Sequence, residues 1–200
     1  SILAGETDAG RALLAEVEEM ALLQLGRPDE ALAVWKANPP EPQSGRSGEL
    51  RYAMSGSRIH AALDDVDEAK RWLPPLDDVI DTGEYMVPWA MAADALVQHD
   101  ALDVDFTLRS GLRNMMRTLV RSGAKHAAVV VGTVLLRLTL RERLPGVASL
   151  VSSAIDEVRS TMMSTPLRDA PLAPLQEQLA ALRAEADASD VDSEDEVPLS

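Results

Sequence analysis

Apolar residues recur along this chain at steps of three and four, and glycine or proline cuts each run after a few helical turns. After Thr7, a candidate N-cap, Leu13, Leu14, Val17, Met20, Ala21 and Leu25 follow the period until Gly26 closes the run. Pro28 then suits a first helical turn, Asp29 and Glu30 sit near the positive end of the helix dipole, and Pro39-Pro40 stops the helix. A chain punctuated this way can fold into little besides short helices packed side by side. The same reading predicts helices over 48–63, 65–73, 86–98, 104–121, from the valine-rich run at 127 to 143, 145–163 and 171–188, with one further turn at 76–81. In the fourth helix, Asp65 with Glu68 three residues on has the arrangement of a capping box. Connections this short make neighbouring helices antiparallel.

The core must be built without many large rings. Aromatic residues are 3% of the 200 residues, so Ala, Leu, Val and Met fill the interior, which suits close-packed helices better than sheets. Trp35, Trp72 and Trp89 each lie in a helical pattern beside Leu, Val or Ala and read as core packing. Ala127 to Leu136 is a valine-rich apolar run that reads as a buried helix, with a strand as the rival, and it is too short for the roughly 20 residues of a membrane span. The expected domain is a single helical body over 1–188. From Ser189 onward the chain is acidic and is expected to be a disordered tail.

Cysteine is absent, which excludes disulfides, thiolate zinc sites and cysteine nucleophiles and points to a reducing, cytoplasmic setting. The opening Ser1-Ile2-Leu3-Ala4-Gly5-Glu6 has no signal-peptide pattern and no initiator methionine, and reads as part of a longer protein. Arginine far outnumbers lysine and alanine is abundant, a composition that suggests a bacterial genome of high GC content.

An internal echo is visible. Leu25-Gly26-Arg27-Pro28-Asp29-Glu30-Ala31 aligns with Leu63-Asp64-Asp65-Val66-Asp67-Glu68-Ala69 at an offset of 38 residues, each followed by a tryptophan. This resembles the turn of the tetratricopeptide repeat, in which a small residue lets two helices pack closely. On that resemblance Gly26 is the turn glycine, Ala31 and Ala69 the packing alanines and Leu22 the large apolar position of the first helix. Glu19 and Ser57 stand where the family prefers small residues, and His60 where it prefers a large one. The resemblance implies an all-α array of stacked helical hairpins, about eight or nine helices, acting as a scaffold for protein partners.

Motifs of catalysis are missing. No two glycines lie two residues apart, which removes the dinucleotide fingerprint, and neither a glycine-lysine pair nor a nucleophile elbow occurs. His60, His99 and His126 are too far apart for a helical ligand pair. Asp103-Val104-Asp105 and Asp190-Val191-Asp192 lack the later ligands of a calcium loop and read as caps and solvated acids. No cofactor or metal is implied.

One charge feature stands out. Between Phe106 and Arg143 there are eight bases and a single acid, Glu142, in a chain whose net charge is −14. Arg109, Arg113, Arg117 and Arg121 fall at successive steps of four and form one stripe of a helix, beside an apolar edge of Leu108, Leu112, Met116 and Leu119. Lys125, Arg137, Arg141 and Arg143 extend it. The stripe either pairs with acids such as Asp156 and Glu157, or lines a groove for an acidic peptide, since guanidinium groups hold carboxylates bidentately. The chain's own acidic end is one such peptide. Nucleic acid fits less well: the pI is about 4.5, and no aromatic rings interleave with the arginines. The function expected is a protein-interaction or regulatory module, with a small-molecule-responsive domain as the alternative and an unfamiliar enzyme behind both. Met115-Met116 and Met162-Met163 leave the oligomeric state open.

Overall fold

The computed structural model describes residues 2–40, 44–83, 85–163 and 171–194. It is all-helical, and among the described residues there is no strand. The chain packs as two compact units, Ser1–Asp103 and Val104–Ser200.

The first unit carries α1 (Ile2–Gln24), α2 (Pro28–Ala37), α3 (Gly45–Ala62), α4 (Val66–Trp72), α5 (Leu76–Thr82) and α6 (Met86–Gln98). α1 begins ahead of Thr7, so that residue lies inside the helix rather than capping it. α3 is the central helix of the unit, packed against α1, α2, α4 and α6. Its approach to α2 depends on Gly56, where a Cβ would meet Trp35 Cζ2 at 2.6 Å and Trp72 Cγ at 3.2 Å. Trp35 stacks on Tyr52 at 4.4 Å between ring centroids, meets Trp72 edge-on at 5.0 Å, and donates its indole N–H to the Tyr52 carbonyl at 2.9 Å. Trp89 is buried too and donates to the Pro74 carbonyl at 2.8 Å. The scarce large rings thus concentrate in the core of this unit.

The second unit carries α7 (Phe106–Arg121), α8 (Lys125–Arg141), α9 (Pro145–Ser160) and α10 (Ala173–Glu194). The valine-rich run is helix, and α8 is buried along most of its length between α7 and α9. Thr133 and Thr139, also buried, return their hydroxyls to the carbonyls of Val129 and Leu136, so the apolar helix carries no orphan there. α10 packs on α8 and α9. Its backbone is helical from Ala173 through Glu194. Residues 195–200 of the expected tail lie outside the described residues.

Four hairpin turns are built alike. After α1, α3, α7 and α8 the chain passes through a left-handed residue, Gly26 (φ 69°), Asp64 (φ 59°), Gly123 (φ 80°) and Arg143 (φ 53°). The next N–H reaches back to close the helix: Arg27 to the Leu22 carbonyl, Asp65 to His60, Ala124 to Leu119 and Leu144 to Thr139, at 2.9 to 3.0 Å. This is the double bond pattern of a Schellman cap, which satisfies carbonyls the helix leaves open. Five residues beyond each left-handed position stands an alanine with no exposed surface: Ala31, Ala69, Ala128 and Ala148. A side chain no larger than methyl lets the returning helix lie close. Only the first two of these turns are legible as a repeat in the sequence. Gly123 was visible as a helix stop, but Arg143 carries no glycine signal. The capping box expected at Asp65 does not form: its carboxylate instead faces His60 Nδ1 at 3.2 Å.

Candidate functional site

α7 starts at a true cap. Asp105 Oδ1 accepts from the Leu108 N–H at 2.7 Å, which fixes where the helix begins and hence which way its stripes face. Leu108, Leu112, Met115 and Met116 are buried against α8, and Arg109, Arg113, Arg117 and Arg121 run along the edge beside that face. With Lys125 they form one wall of a groove of about 980 Å³. The stripe from Arg109 to Arg121 is about 18 Å long at 1.5 Å per residue.

The facing wall is α9. Val147, Leu150, Val151, Ala154 and Val158 line it, with Glu157 the single acid and Thr161 at one end. Met116 and Leu135 make the floor. Beneath them Gly132 lets the helices close up, since a Cβ there would lie 2.9 Å from Ile155 Cγ1 and 3.1 Å from Met116 Sδ. Phe106 is 77% exposed and Leu150 69%, so large apolar surface stands open on both sides of the groove. A cationic wall thus faces an apolar one across a shared floor.

Arg109 is spoken for: its Nη1 donates to the Val104 carbonyl at 2.5 Å. Lys125 Nζ donates to Thr161 Oγ1 at 2.9 Å and ties the end of the groove together. Arg113, Arg117 and Arg121 are exposed and, among the described residues, form no ion pair. Asp156, one acid expected to neutralise the stripe, pairs with Arg159 at 3.0 Å. Glu157 lines the groove and, among the described residues, reaches no arginine within ion-pair distance. Like charges at steps of four repel by a few tenths of a kcal/mol per pair, so the three exposed guanidiniums cost the free protein a little stability.

Comparison of the chain with family models, curated proteins and solved structures returned no match.

Of the residues singled out in the sequence, Arg109, Arg113, Arg117, Arg121 and Lys125 come together in the groove. Arg137 and Arg141 lie on α8, outside its lining. Arg143, in the turn after α8, is not in the lining and pairs with Glu185 of α10. The α9 wall is what sequence reasoning misses. A signal for it exists: Ala148, Ser152 and Ile155 already form a buried face of α9, so Val147, Leu150 and Val158 are apolar residues in excess of what one packed face needs.

In the first unit a polar cluster sits between α1 and α3. Glu19 is buried, and loss of solvation pushes its carboxyl above the usual range, opposed by a hydrogen bond from Ser55 and the charges of Arg51 and Arg58. Burial lowers the Arg58 guanidinium, while Glu16 and Glu19 support its charge. Glu19 and His60, both buried polar residues, thus each have polar partners. No group of three or more His, Asp or Glu among the described residues could hold a metal ion. Likewise, no described helix is long and apolar enough to cross a membrane.

Proposed function

We propose that this chain is a tetratricopeptide-like interaction module of the cytoplasm, and that its second unit receives an acidic, partly apolar segment of a protein partner in the groove between α7 and α9. The observation that carries this reading is the row Arg113, Arg117 and Arg121, exposed and without an ion partner among the described residues, facing the apolar side of α9. Surface charges of one sign raise the rate of encounter with an opposite surface, and bidentate guanidinium contacts add specificity. Apolar area on the facing wall supplies the affinity that exposed ion pairs alone do not. The repeat-like part rests on the four equivalent turns with their buried alanines.

The test is a crosslinking pull-down with the wild-type chain and an Arg113→Glu/Arg117→Glu variant. Partners captured by the wild type and lost on charge reversal are expected; an identical partner list overturns the reading. A second reading has one observation in its favour, namely that about 980 Å³ falls at the upper end of volumes that hold small molecules, roughly 300–1,000 Å³. An anionic effector held there would raise the melting temperature of the wild type and not of the reversed variant.

A further inference from the structure

The two walls of the groove also constrain the conformation of what lies in it. We infer that the occupant is an amphipathic α-helix, with acids at steps of four along one edge and an apolar stripe beside them, rather than an extended peptide; this rests on the acidic-segment reading above.

Spacing alone does not decide the matter. Guanidiniums four residues apart on α7 repeat about every 6 Å along the axis, which matches acids four apart on a helix and nearly matches acids two apart on a strand. Backbone satisfaction decides. An extended chain presents an unpaired N–H and C=O at every residue, and each one buried without a partner costs about 1–3 kcal/mol. Val147, Leu150, Val151, Ala154 and Val158 offer no donor or acceptor from their side chains, and the backbone of α9 is engaged in its own helix. A strand laid against that wall would leave one side of its backbone unsatisfied. A helix satisfies its own backbone and presents only side chains. The groove already has the form such an occupant needs: α7 and α9 flank α8, and a further helix over Met116 and Leu135 would cover the apolar surface at Leu150 and Phe106 while neutralising Arg113 and Arg117.

Two peptides of identical Glu, Leu and Ala composition, each about 18 residues and so long enough to span the stripe as a helix, test this with the full chain. One places Glu at steps of four with Leu on the adjoining stripe and Ala elsewhere, and the other gathers the same Glu and Leu into a central alternating run flanked by Ala. The helical pattern is expected to bind about tenfold more tightly or better, to gain helical ellipticity on binding, and to lose that affinity in the Arg113→Glu/Arg117→Glu variant. Equal or tighter binding of the alternating peptide, or binding of the first without gain of helix, overturns the helical occupant and leaves the acidic groove standing. Failure of both peptides to bind, or binding indifferent to the charge reversal, overturns the groove itself. So does displacement of bound peptide by single-stranded poly-U RNA with a steep salt dependence, which would make the stripe a phosphate surface.

Discussion

Gly132 of α8 faces Ile155 of α9 so closely that a methyl group at position 132 would lie 2.9 Å from Ile155 Cγ1. The contact lies directly beneath the groove, where Met116 also reaches the same spot. Gly132→Ala is therefore expected to destabilise the second unit by about 1–3 kcal/mol, the usual range for an overpacked core, despite the helix-favouring nature of alanine. Urea denaturation of the single variant, of Ile155→Ala and of the double variant checks the cause. The double variant should be more stable than the sum of the two losses predicts, because the residues are in contact.

Gly26 and Gly123 make the opposite case. A Cβ at either would meet nothing within 4 Å, yet both stand at positive φ in Schellman turns. Alanine at these positions is expected to cost about 1–2 kcal/mol through backbone conformation alone. Gly10 is the control: it lies in α1 with open space around it and an ordinary φ, so Gly10→Ala should stabilise by about 0.5–1 kcal/mol. Thermal denaturation of the three variants would show the contrast, and equal effects at all three sites would refute it.

The raised Glu19 carboxyl gives a pH dependence with a definite sign. Between its ordinary unfolded pKa and the raised folded value the native state holds more protons than the unfolded one, so stability falls as pH rises through that window. Above the folded value the penalty is fully present. Glu19→Gln, which keeps an acceptor for Ser55 and leaves Glu16 beside Arg58, is expected to raise the urea midpoint at pH 7 and to change it little at pH 4. A lower midpoint at pH 7 would mean that Arg58 depends on the Glu19 charge more than the protein suffers from burying it.

If the arginine row serves a partner and not the fold, removing charge from it should not harm the free protein. Arg113→Gln and Arg117→Gln each relieve repulsion from neighbours four residues away and are expected to leave stability unchanged or to raise it by a few tenths of a kcal/mol. A loss of more than about 1 kcal/mol in either would show that the side chain supports the structure.

The Gly26 and Gly123 turns announce themselves, because only glycine enters the left-handed region without strain. Asp64 and Arg143 adopt the same conformation without a glycine, and the alanines beyond them, Ala69 and Ala148, are fully buried as at the glycine turns. His60, a departure from the repeat pattern, finds its partner in Asp65. The expected capping box failed for that same reason, since Asp65 had a competing acceptor role that a local motif does not anticipate.

What the sequence determined by itself is whatever depends on neighbours a few residues away. The 3.6 period, the Gly and Pro stops and the alignment of Arg109, Arg113, Arg117 and Arg121 on one stripe are all local, and each is present in the structure. The tertiary structure alone decided what that stripe faces. Whether α7 would meet acids or the apolar side of α9 depends on how α8 is wedged between them, and that is set by contacts such as Gly132 with Ile155, between residues far apart in the chain. Periodicity encodes which side of a helix is apolar, but which helix lies across from it is settled only when the core closes.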